Sequence, residues 1–136
     1  MSRRGTSAGF VDTLKIDKDC FVDTKWVSEY VRLIIDTCRL YQLEVVSIKM
    51  CRSERKGLHF YIQISPSVEP RIANRLQWLL GDDCLRVDYN RARINSGLRD
   101  WNKLFEVVGR RLRTVYRRTT SHGHCSDKVT TKGGEC

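Results

Sequence analysis

No stretch of the chain approaches the roughly 18 apolar residues that a membrane-spanning helix needs, so the sequence excludes a membrane span. The basic start, Met1-Ser2-Arg3-Arg4-Gly5-Thr6-Ser7, has no apolar segment behind it and does not read as a signal peptide. A cytoplasmic location follows, where thiols stay reduced. Six cysteines (20, 38, 51, 84, 125 and 136) include no CxxC pair. Core filling is the expected role, with Cys38 in a helical apolar pattern and Cys20 and Cys84 near strand ends. The segment His122-Gly123-His124-Cys125 lacks a second close Cys or His pair at finger spacing, so it reads as tail and not as a zinc site. Internal repeats are absent too. Acidic residues are scarce relative to basic ones, 16 against 25, and the net charge of +9 favours a polyanionic partner.

What is present suits one domain: 136 residues, 40% hydrophobic and 30% charged. Residues 1–9 and 119–136 are poor in large apolar side chains and read as flexible tails around a domain at 10–118. Alternation over residues 11–19 predicts a strand with Leu14 and Ile16 inward and Thr13, Lys15, Asp17 and Asp19 outward. A helix follows, capped by Asp23 or Thr24, with the stripe Val27, Val31, Ile34, Cys38 and Tyr41. Residues 45–51 form a second strand, with Val46, Ile48 and Met50 inward. After a turn at 53–57, residues 58–64 form a third, with His59, Tyr61 and Gln63 outward. Ser67 or Glu69 begins a second helix, with Pro70 in its first turn, that buries Ile72, Leu76, Leu79 and Leu80 and stops at Gly81. A fourth strand is predicted over 84–90, with Arg86, Asp88 and Asn90 outward. A further helix is predicted over 99–117, with Trp101, Leu104, Phe105, Val108, Leu112 and Val115 on its apolar side.

The order βαββαβ is that of a ferredoxin-like, RRM-like α+β fold: a four-stranded antiparallel sheet with two helices on one face, here followed by a C-terminal helix. In that fold the first strand lies between the third and fourth. Asp17, Asp19, His59 and Asp88 then share the open sheet face. Three carboxylates on one patch repel each other and call for a hard cation, Mg²⁺ or Mn²⁺, completed by phosphate oxygens. His59, with Lys49, Arg52, Lys56 or Arg86 nearby, would meet those phosphates. An equally simple reading makes Asp17 and Asp19 turn residues, pairs Asp88 with Arg86 or Arg91, and leaves His59 facing solvent.

Three segments together resemble the archaeo-eukaryotic primase (primase-polymerase) superfamily. They are Leu14-Lys15-Ile16-Asp17-Lys18-Asp19, then Ser53-Glu54-Arg55-Lys56-Gly57-Leu58-His59-Phe60-Tyr61-Ile62, then Leu85-Arg86-Val87-Asp88-Tyr89-Asn90-Arg91. The likeness covers about residues 12–95 and is most specific in the second segment. It implies metal ligation by Asp17, Asp19 and Asp88, phosphate contacts by His59, Ser53 and Arg91, and template-directed nucleotidyl transfer from nucleoside triphosphates. A reduced viral or mobile-element form working within a larger replication complex, in the host cytoplasm if viral, fits its size. Gly81-Asp82-Asp83 is similar to a segment of small viral proteins. The competing function is a non-catalytic single-stranded nucleic-acid-binding module of RNA-recognition type, with Tyr61 as the stacking aromatic and Arg110, Arg111 and Arg113 tracking phosphates.

Overall fold

A computed structural model of the chain describes residues 9–18, 23–52, 57–104 and 111–119. Strand β1, Val11–Lys18, alternates as its sequence requires, with Leu14 and Ile16 fully buried. Helix α1, Thr24–Leu40, starts at Asp23, whose carboxylate accepts the Trp26 N–H at 3.0 Å. Its buried stripe is Val27, Tyr30, Val31, Ile34 and Cys38. Tyr41 lies beyond the last turn and is exposed, so the stripe ends at Cys38. Tyr30 takes an inward place instead, with its ring edge-on to Phe60 at 5.0 Å and its hydroxyl donating to the Leu80 carbonyl at 2.5 Å.

Strands β2, Glu44–Arg52, and β3, Leu58–Val68, pair as a hairpin. The register shifts between Val45 and Ser47, so Val45 rather than Val46 points into the core, while Ile48 and Met50 keep their expected side. Helix α2, Pro70–Leu79, has Pro70 in its first turn and buries Ala73, Asn74, Leu76 and Gln77. Leu79 is exposed, and Leu80 is buried just past the helix end. Gly81, at φ +91°, reverses the chain there in a conformation that L side chains rarely adopt.

Residues 84–90 are not a strand. They open helix α3, Cys84–Asn95, which Asp83 caps by accepting the Leu85 N–H at 3.0 Å. The alternation of Leu85, Val87 and Tyr89 misleads because two of the three, Leu85 and Tyr89, are exposed. The buried positions are Val87 and Asn90, with Ile94 half-buried: a helical spacing hidden by a polar member. Where the described residues cover it, the helix expected over 99–117 is not formed; 105–110 lie outside them. Residues 101–104 have no regular structure, and Arg113–Arg117 form strand β4.

The sheet is open, four-stranded and antiparallel, in the order β1-β3-β2-β4. With its flanking helices it has the expected ferredoxin-like, RRM-like α+β architecture. The difference lies in the last strand, which docks on β2 and not on β1. One core joins the inward residues of β1, β2 and β3 to α1 and α2, and Trp101 closes it. No helix among the described residues is long and apolar enough to cross a membrane.

Candidate functional site

Strand register organises the sheet face opposite α1 and α2 into rows. Asp17 stands opposite His59, which stands opposite Cys51. The next row runs Lys15, Tyr61, Lys49 and Thr114, and the third runs Thr13, Gln63, Ser47 and Arg117. Directly opposed Cβ atoms lie about 5 Å apart. Tyr61, on the central strand β3, is therefore bracketed by two lysines, and all three side chains are partly exposed.

In the first row, His59 Nε2 lies 3.6 Å from Asp17 Oδ1. The imidazole is buried, while the Asp17 side chain keeps 28% of its surface. Burial raises the Asp17 carboxyl above its usual 3.8. His59 opposes that shift, Asp82 and Asp83 add to it, and Arg86 opposes it again. The two form an ion pair when His59 is protonated and Asp17 is ionised. His59 thus does not face solvent.

Behind this row, side chains satisfy the outer edge of β1. Gln77 Oε1 accepts the Lys15 N–H at 2.9 Å, and Asp82 Oδ1 accepts the Asp17 N–H at 2.9 Å. Arg86 Nη2 donates to the Lys15 carbonyl at 2.8 Å. Gln77 and Asn102 exchange amide hydrogen bonds at 2.9 and 3.2 Å. Asp82, raised by burial above 3.8 despite its bond to Arg86, also accepts the Asp83 N–H. Arg86 completes its set with Asp82, Asn102 and the Lys103 carbonyl.

The other expected site residues separate. Asp88 lies on α3, 63% exposed, paired with Arg91 at 3.2 Å, and so is not at a strand position beside Asp17. Arg86, expected at phosphates, has only 11% of its side chain exposed and spends its donors on β1 and Asp82. Asp19, Ser53, Lys56 and Arg110 lie outside the described residues. Arg52, Arg111 and Arg113, by contrast, come together around a cavity of about 440 Å³, with Met50 and Leu58 beneath and the start of α1 at Asp23 and Thr24 beside it. No group of three His, Cys, Asp or Glu residues among those described is placed to hold a metal ion. Asp17 and His59 offer two donors and no described third.

No family model, curated protein or solved structure matches the chain.

The residues missed in the sequence are Gln77, Asp82 and Asn102. Asp82 and Arg86 stand four apart across a helix start, a legible ion-pair spacing. Nothing local announces that Gln77 reaches a strand 62 positions away.

Proposed function

We propose that this protein binds single-stranded nucleic acid on its sheet, without catalysis. The observation that carries the proposal is the cross-strand row Lys15–Tyr61–Lys49, an aromatic on the central strand between two cations. Base stacking on such a ring tolerates any sequence, and the flanking ammonium groups meet the backbone phosphates. Arg117 on the same face extends the cationic surface toward β4. The net charge of +9 supports the same partner through long-range attraction. The test is fluorescence anisotropy with labelled oligothymidylate and oligouridylate across a salt series, with and without EDTA. The expected result is salt-sensitive binding that EDTA leaves intact and Tyr61→Ala weakens. Unchanged affinity in Tyr61→Ala would remove the stacking platform.

A second reading, nucleotidyl transfer of the primase-polymerase kind, is favoured by one feature, the adjacency of Asp17 and His59. It requires that nucleoside triphosphate bind only with Mn²⁺ or Mg²⁺ and that Asp17→Ala abolish this binding. Metal-independent nucleotide binding, or none, rejects it.

A further inference from the structure

Helices α2 and α3 enclose a groove of about 570 Å³ that the sheet face does not share. Its walls carry Arg71, Arg75 and Trp78 from α2 at the i, i+4, i+7 spacing of one helix face, and Arg91 from α3. Its apolar floor includes Val87 and Ile94. Trp78 is 56% exposed. The groove is preformed, because buried Asn74 ties the helices together. Asn74 Nδ2 donates to the Val87 carbonyl at 3.1 Å, and its Oδ1 accepts from Asn90 at 3.2 Å. At one end Arg71 donates to Asn95 Oδ1 at 3.0 Å.

From this we infer that the α2–α3 groove docks an acidic, amphipathic segment of a partner protein. Among the described residues no carboxylate lines the groove, and Arg75 has no hydrogen-bond or ion-pair partner. Arg91 reaches only the exposed Asp88. With Arg71 on a neutral amide and Arg75 unpaired, the groove keeps a positive surplus that favours anionic charge in the occupant, and guanidinium groups suit carboxylates because each offers a planar pair of donors. The apolar floor decides between the two anionic macromolecules. A nucleic acid strand would stack on Trp78 but leave half-buried, aliphatic Ile72 and Ile94 facing phosphate and sugar. A peptide with an apolar stripe beside an acidic one fills both halves, the helix-in-groove mode. Trp and Arg are also the residues in which binding energy most often concentrates at protein interfaces.

The test uses the full-length ¹⁵N-labelled protein and a synthetic peptide of about four helical turns, with leucines on one face and glutamates on the other. A second peptide with lysines for glutamates and an oligothymidylate serve as comparators. The expected result is that the acidic peptide moves the Trp78 indole resonance and amides of both helices, and that the basic peptide moves neither. Trp78→Ala and Arg75→Glu should each weaken binding by about tenfold, with resonance dispersion unchanged because both side chains are exposed. Absence of binding, or equal affinity in both variants, overturns the inference. Oligothymidylate shifting the groove resonances and displacing the peptide would also overturn it, by assigning the groove to nucleic acid.

Discussion

The guanidinium of Arg86 reaches from α3 to the backbone of Lys15, donating to its carbonyl at 2.8 Å, while its Nε holds Asp82 at 3.1 Å. Asp82 in turn receives the Asp17 N–H. One ion pair on a helix start thus fixes both the carbonyl and the amide side of a strand edge. Removing one partner of such a buried pair leaves the other charge uncompensated, which costs about 3–5 kcal/mol. Arg86→Ala is expected to lower unfolding free energy by about that amount in urea titrations. Arg91→Ala, in a pair 63% exposed on both sides, should change it by less than about 1 kcal/mol. Similar losses in the two variants would deny Arg86 its clamping role.

Hydrogen exchange reads the same edge residue by residue. The Lys15 and Asp17 amides, bonded to Gln77 and Asp82, should exchange slowly for an outer strand. Gln77→Ala is expected to speed exchange at Lys15 before Asp17, and Asp82→Ala at Asp17 before Lys15. Uniform acceleration across the molecule in both variants would mean global destabilisation and not local release.

This edge also explains how far the sequence could be read. Strands β1 to β3 and helices α1 and α2 follow periodicities that burial enforces, so Leu14, Ile16, Phe60 and Ile62 lie where their spacing predicts. The juxtaposition of Asp17 with His59 follows from the same alternation and the antiparallel pairing. The chain beyond α2 is less legible, for a physical reason that begins on α2 itself. Among the buried positions from α2 onward, the polar residues Asn74, Gln77, Asp82 and Asn90, satisfied by one another, by Arg86 and by backbone, stand beside apolar Ala73, Leu76, Leu80, Val87 and Trp101. Hydrophobic periodicity does not register the amides in such an interior. Alternation alone therefore predicts a strand for Asp88, and with it a carboxylate cluster that Asp88, on α3, does not join.

Acidity bears on the Asp17 row with a definite sign. The folded Asp17 carboxyl holds its proton to a higher pH than the unfolded chain, where 3.8 applies. In the window just above 3.8 the native state binds more protons, so this group's contribution is full below that value. It is lost as pH rises through the folded pKa. Asp17→Asn should flatten that fall in stability, leaving the part that Asp82, raised by the same burial, contributes. An NMR titration of the Asp17 carboxyl carbon checks the premise directly. A midpoint at or below 3.8 would contradict it.

Nucleic-acid binding should divide cleanly between ring and charge. Tyr61→Ala is expected to cost about 1–3 kcal/mol of affinity for a single strand, and Tyr61→Phe little. Lys15→Ala and Lys49→Ala should each reduce the slope of log K against log salt by about 0.7. A slope unaltered in both lysine variants would remove these side chains from the phosphate path.

The rim formed by β1 has a consequence for assembly. With Gln77, Asp82 and Arg86 occupying the outward groups of Lys15 and Asp17, that stretch of the border offers no template for a visiting strand. Among the described residues, growth of the sheet by another chain is left to the opposite border. There the final strand is only 5 residues long, with Arg113 and Arg117 at its ends. Two like charges meeting across a seam would discourage stacking of copies, so the molecule is built to resist fibre-like polymerisation at both margins.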